Sequence, residues 1–356
     1  MPELSAAEAA EPSLLTASWD NSARLWNASS GECVHKLLHG HWVLSATFSP
    51  DGGSVLTASR DGTAKLWDVA NGTCTQTLQG HQDGLLSGIF SPVGDLVLTG
   101  SEDNSAKLWN VDTGECKQTF EGHHSWVRTP SFSGDGAAVL TASRDYTARL
   151  WSVHTGLCLQ SFVGHTDELN TAALSPDSRS VLTSSEDCTA RLWSVATGDC
   201  IRLIQHGDWV RAASFSPDGS KLLTSSYDGT TKIWSARSVE CLQTLQGHDG
   251  LVLSAAFSSD SATVLTTSSD RTAKLFDAET GECVQTFFRH DGAVSSAAFS
   301  GDGTRILTAS DDGTSKLWSV QRGHCLQTLK GHSDLVRAAA FAPDISDAEP
   351  ATTLLS

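Results

Sequence analysis

The sequence predicts an all-β fold, a closed ring of eight four-stranded units, on three observations. One phrase recurs eight times at steps of 41 or 42 residues. Each copy alternates apolar and polar residues over short stretches broken by turn residues. The two chain ends hold complementary fragments of a single copy.

The phrase runs from Gly80-His81, nine residues on to Phe90, through a turn, and then LVLTGSEDNSAKLW to Trp109. Its closing aromatic recurs as Trp26, Trp67, Trp109, Trp151, Trp193, Trp234, Phe276 and Trp318. Its histidine recurs as His41, His81, His123, His165, His206, His248, His290 and His332. A fixed period in this range marks stacked supersecondary units, none of which buries its own apolar face alone. Within a unit, LVLSAAF, ATVLTTS, TAKLF and CVQTFF carry the alternation of a half-buried strand. Ser-Pro-Asp-Gly or Ser-Gly-Asp-Gly separates the first two strands, an Asp turn the next two, and Thr-Gly the last two. Each unit therefore reads as an antiparallel meander. The chain opens in mid-phrase with SLLTASWDNSARLW and GECVHKLL, three strands without a first. It closes with Gly331-His332 and LVRAAAFAP, a first strand without the rest. Three plus one completes the eighth unit, and that closure removes the sheet edges an open array would expose.

Four strands per unit, Gly-His near the start and a tryptophan ending the third strand resemble the WD-repeat β-propeller family. The resemblance covers residues 13–341, with 1–12 and 342–356 expected to be flexible ends. It implies a chain of hydrogen bonds in each blade: indole to Ser, Ser to His, His to the turn Asp. One such set is His81, Ser101, Asp103 and Trp109, and the closing blade unites His332 with Ser18, Asp20 and Trp26. Eight equal copies in strand interiors do not make a catalytic triad, which needs one exposed nucleophile with an oxyanion hole. The reading is therefore structural, each bond contributing about 1 kcal/mol net. Phe276 lacks an N–H, so its set must lose a bond. The stretch from His41 to Phe48 is two residues short, which leaves His41 displaced.

Composition narrows the function. The 356 residues carry 41 acidic and 24 basic side chains, a formal net charge of −17. Eight bases fall two residues before the repeated aromatic, spread round the ring, so no basic stripe is left for a nucleic acid or an anionic membrane. Eight cysteines fall seven residues after that aromatic, at positions too far apart to bridge. They read as small half-buried thiols of a reducing compartment, cytoplasm or nucleus. No CxxC pair has zinc spacing, no glycine loop binds phosphate, and no cofactor is expected. His35, His39, His124, His154 and His324 read as solvated.

Recognition is then sought where the copies differ. The residue before the turn Asp and the residues leading into each first strand vary from unit to unit. Four of the eleven tryptophans do not end a third strand, and all four (Trp19, Trp42, Trp126, Trp209) fall at these positions. Arg60, Arg128, Arg144, Arg211, Arg337 and Tyr227 fall there too. Trp, Tyr and Arg dominate interface energetics. The expected function is a non-catalytic scaffold that binds partner proteins or peptides, including acidic or phosphorylated segments, as a subunit of a larger complex. The competing reading is that these rings cap the blades and touch only their own protein. The resemblance further implies assembly work in signalling, in ciliary or centriolar complexes, in RNA processing, or as a receptor of a cullin-type ubiquitin ligase. Against the last, Trp234-Ser235-Ala236-Arg237 departs at its second letter from the Trp-Asp-any-Arg such receptors carry.

Overall fold

The structure, a computed structural model, describes residues 13–343. The expected flexible ends fall outside it, apart from Ala342 and Pro343. Among the described residues every regular element is a strand, and the thirty-two strands form eight four-stranded antiparallel sheets. Blade 1 orders its strands Cys33–Leu38, Ser22–Trp26, Leu14–Ser18 and Val336–Phe341, so the last strand of the chain is its innermost. Blades 2 to 8 follow as residues 43–78, 85–120, 127–163, 169–205, 210–245, 252–288 and 294–330. The closure is in register from Leu14 opposite Phe341 to Ala17 opposite Ala338, and Ala342 donates to the Ser13 carbonyl at 2.9 Å.

Apolar residues are shared between blades rather than kept within one. Leu56, Ala58, Leu66 and Leu78 of blade 2 pack with Leu85, Val97 and Trp109 of blade 3. The same arrangement recurs at every seam, and Leu307, Leu317 and Leu329 of blade 8 pack against Leu14 and Trp26 of blade 1. The second strand of each blade has neighbours on both faces, which is why SVLTAS and its equivalents are buried almost throughout. The fourth strand is the outer edge. It turns seven of the nine cysteines to solvent, with Cys188 and Cys325 partly buried and all nine free thiols. This corrects the half-buried expectation: the Cys begins an edge strand with nothing packed outside it.

Two further corrections concern the hydrogen-bonded sets. The hydroxyl in the chain is a threonine, not the serine. In blade 3, Trp109 Nε1 donates to Thr99 Oγ1 at 2.9 Å, Thr99 Oγ1 lies 2.8 Å from His81 Nε2, and His81 Nδ1 lies 2.7 Å from Asp103 Oδ2. Ser101 lies at the end of the strand, where it runs into the turn. It donates to the Gly84 carbonyl at 3.0 Å and accepts from the Asp103 N–H at 3.1 Å, tying loop to turn. The physical reason is position: Thr99 sits within the regular ladder beneath the indole, whereas Ser101 ends the strand opposite the bulge between Leu85 and Ser87, within reach of the loop and turn backbone. The closing blade repeats this with Thr16 between Trp26 and His332, while Ser18 donates to the Asp334 carbonyl and accepts from the Asp20 N–H. His332 Nδ1 lies 2.8 Å from Asp20 Oδ2, so the bond joins the two ends of the chain. Phe276 makes no indole bond, but Thr266, His248 and Asp270 keep theirs.

In blade 2 the histidine of the set is His39. It lies 2.7 Å from Thr57 and 3.1 Å from Asp61, wholly shielded, whereas His41 is exposed in the loop. The loop shortened by two residues moves the buried position two residues back, so His39 is not the solvated side chain its sequence neighbourhood suggested.

Candidate interaction face

Each first strand pairs regularly with the second until its outermost residue, where one residue is left over. The leftover residues are Leu44, Leu86, Arg128, Asn170, Arg211, Leu253, Ser295 and Arg337, the bulges of the eight blades. A bulge re-aims a side chain that regular pairing would lay against the neighbouring strand. The two variable positions of each blade are joined by backbone. The Arg144 N–H donates to the Trp126 carbonyl, Arg60 to Trp42, Tyr227 to Trp209 and Trp19 to Leu335, at 2.9 to 3.0 Å. Blade by blade, the chain therefore presents a pair of residues on a fixed frame.

Eight of the ten residues singled out in the sequence converge. Trp19, Trp42, Arg60, Trp126, Arg128, Arg144, Arg211 and Arg337 line one open depression of about 620 Å³, together with Leu44, Leu86, Glu102, Asn170 and Ser295. Trp209 and Tyr227 stand outside it. They stack on each other with centroids 5.7 Å apart, and Trp209 remains 41% exposed.

Within the depression the aromatic and cationic groups contact each other. Trp19 and Trp42 stack at 4.2 Å with planes 5° apart, bridging blades 1 and 2. The Arg337 guanidinium lies 5.2 Å from the centre of Trp19, and that of Arg60 5.3 Å from the centre of Trp42, which makes a four-layer stack. Arg144 covers Trp126 at 4.1 Å. Such contacts contribute about 0.5 to 2 kcal/mol each, according to how far they are desolvated. Trp19 and Trp42 thus hold each other as well as lining the face.

Acidic residues at equivalent positions of neighbouring blades balance most of the arginines. Arg337 pairs with Asp311 at 3.4 Å and Arg60 with Glu102 at 3.5 Å. Arg128 lies 3.6 Å from Glu168 and 3.7 Å from Glu186. Arg144 Nε is 3.0 Å from Glu168, close enough for an ion pair without hydrogen-bond alignment. Arg211 reaches only the amide oxygen of Asn170, at 3.3 Å, which also accepts from Arg128. Burial, and then the charges of Arg144 and Arg211, push the Arg128 guanidinium below its ordinary pKa. Burial likewise raises the Glu186 carboxyl in spite of Arg128. This balancing set was not read from sequence as part of the site. Its signal is an acid at the pre-turn position (Glu102, Glu186, Asp311) in the blade next to an arginine.

A family model described as the IFT122 first β-propeller matches residues 85–347, close to three quarters of the chain. The chain belongs to the WD-repeat β-propeller family. A second model, the WD domain, G-beta repeat, matches residues 31–68. No curated protein matches significantly. Among solved structures, the propeller is similar to a crystal structure of the computationally designed Ika8 protein. That match has 26% identity and a TM-score of 0.78, and it covers 87% of this chain and 94% of that one. WD-repeat propellers commonly serve as protein-interaction scaffolds and are generally non-catalytic.

Proposed function

We propose that this propeller is a non-catalytic assembly subunit that grips a segment of a partner protein on the face bearing Trp126, Trp209 and the arginines. One observation carries the reading: eight tryptophans and arginines that no repeat requires, drawn from four blades, converge on one depression. Trp126 and Trp209 are the residues to test, because Trp19 and Trp42 stack across the seam of blades 1 and 2, whereas Trp126 and Trp209 stack only within their own blades. Each of these two is half-open or exposed and is joined to its blade through backbone, so truncation removes contact area without unpairing a buried group. Affinity capture with the full chain, comparing wild type with Trp126→Ala/Trp209→Ala, is the experiment. Loss of the main captured proteins from a folded double variant supports the reading; complete retention overturns it. Of the assemblies that the family resemblance implies, the match to the IFT122 first β-propeller favours the ciliary one. Accumulation of the tagged protein elsewhere, with none at cilia, would count against that finer reading.

A further inference from the structure

The mouth of the depression between blades 4 and 6 has more cationic charge than its neighbours absorb. Arg128 from blade 4 and Arg211 from blade 6 both direct Nη1 at one oxygen, Oδ1 of Asn170 in blade 5. Asn170 is 2% exposed and fixed from behind, its Nδ2 donating to the Val210 carbonyl at 3.1 Å. An amide oxygen carries only a partial charge, so it cannot neutralise two guanidinium groups as a carboxylate would. Glu168 and Glu186 lie on the Arg128 and Arg144 side, and among the described residues no carboxylate lies within ion-pair distance of Arg211. The site is open to solvent through the depression, and Arg144 stacked on Trp126 forms its wall.

We propose that this mouth receives an anionic side chain of the bound partner, a phosphate or a carboxylate, with Arg211 as its principal donor and Arg128 as its second. The inference rests on the reading of this face as partner-binding and adds the chemistry of what enters it. A forked guanidinium suits either anion bidentately. The chain as a whole, at a formal net charge of −17, repels anions, so binding at this mouth is set by local donors rather than by the overall field.

The test is calorimetric titration of the full chain at low salt, first with inorganic phosphate. It continues with three pentapeptides of glycine whose central residue is phosphoserine, glutamate or serine. Phosphate is expected to bind at one site per chain. Arg211→Gln is expected to weaken it at least about ten-fold, the loss of one charge-assisted hydrogen bond. Arg211→Lys recovers part of the binding, and Arg237→Gln, on an exposed turn elsewhere, leaves it unchanged. Tighter binding of the phosphoserine peptide assigns the guest as a phosphorylated residue, and equal binding of the glutamate peptide assigns it as a carboxylate. Equal binding of the serine peptide, no heat with any anion, or phosphate affinity untouched by Arg211→Gln overturns the proposal. So does a lower melting temperature of Arg211→Gln in anion-free buffer, which would mark the guanidinium as purely structural. If these titrations fail while Trp126→Ala/Trp209→Ala still loses its partners, the anion subsite is wrong and the interaction face stands.

Discussion

Inside the blades, the same side chains make the same bonds eight times, with one indole replaced by Phe276; on the loop face, no two neighbouring blades present the same pair. Blade 2 offers Trp42 with Arg60, blade 3 Gly84 with Glu102, blade 4 Trp126 with Arg144, and blade 5 Glu168 with Glu186. The contrast has a physical cause. A donor or acceptor buried among the strands of one blade must find its partner there, and only one solution fits a given strand geometry. A side chain at a bulge or turn faces either solvent or the next blade, so its partner can change from seam to seam. Variety is therefore tolerated on the face, and there the aromatic residues and arginines have gathered.

The bonds also have a direction. Each indole N–H donates to Thr; with the imidazole in its neutral Nδ1–H tautomer, the Thr hydroxyl donates to His Nε2 and His Nδ1–H donates to the Asp carboxylate. A proton on Nε2 would reverse the Thr–His bond, in blade 3 leaving Thr99 to accept from both indole and imidazole and to turn its own proton to the Lys107 carbonyl 3.4 Å away, a poorer partner. Burial pushes His165, His248 and His332 below 6.5, and His206 to about 4 with Lys232 adding to the effect. At Asp103 burial acts in the opposite direction. The donors from His81, Ser105 and the Gln82 N–H outweigh it and hold that carboxyl well below the usual range.

The largest effect expected from breaking the comparison is in blade 2. His39→Ala removes one donor from Asp61 and one partner from Thr57 and leaves a cavity where a wholly shielded ring sat, and should destabilise by about 3 kcal/mol. Urea denaturation checks it, and a loss below about 1 kcal/mol would return the role to another side chain.

Next comes the hydroxyl. Thr183→Val orphans the Trp193 N–H and His165 Nε2, at a cost of about 2 to 3 kcal/mol. Thr266→Val, in the blade with Phe276, orphans only His248 and should cost about 1 kcal/mol less. Equal losses in the two blades would show that the indole bond contributes nothing.

The response to pH follows in size. Above the ordinary imidazole value near 6.5, folded and unfolded chains both hold His165, His206, His248 and His332 neutral, and their contribution to stability is full. As pH falls from 6.5 toward 4, the unfolded chain takes up protons that the folded chain refuses, so stability declines through this window. The depressed aspartates add to the decline only below their ordinary 3.8. Melting temperatures measured from pH 8 to pH 4 should be level and then fall; a maximum near pH 5 contradicts the neutral-histidine chain. The smallest effect is at His41, which is exposed and accepts only the neighbouring Trp42 N–H. His41→Ala should stay within about 0.5 kcal/mol of wild type, and a larger loss in the same denaturation would place it in the buried set after all.

The ring and its closure were legible in the sequence because period, turn residues and the split copy are local patterns. Thr rather than Ser in the relay was legible too, since Thr stands two residues before the Ser in all eight copies. It was missed because the repeated Ser is adjacent to the turn and fits the family pattern as quoted. His39 was obscured by a loop two residues short, where counting from Gly-His fails. The convergence of Trp126, Arg128 and Arg211 could be expected from position, but their partners could not. Whether Arg128 meets Glu186 or Asn170 depends on the rotation between blades, and no spacing along the chain encodes that. The stack of Arg337, Trp19, Trp42 and Arg60 is hidden for the same reason, since it joins the two termini.

The division between a repeated frame and a variable gripping face is tested most directly by one paired measurement on Trp126→Ala/Trp209→Ala: its unfolding midpoint and its captured proteins. The account predicts a midpoint within about 1 kcal/mol of wild type, because neither indole donates a bond in its blade's relay, together with loss of the principal partners. An unchanged set of partners, or a collapse in stability, would contradict it.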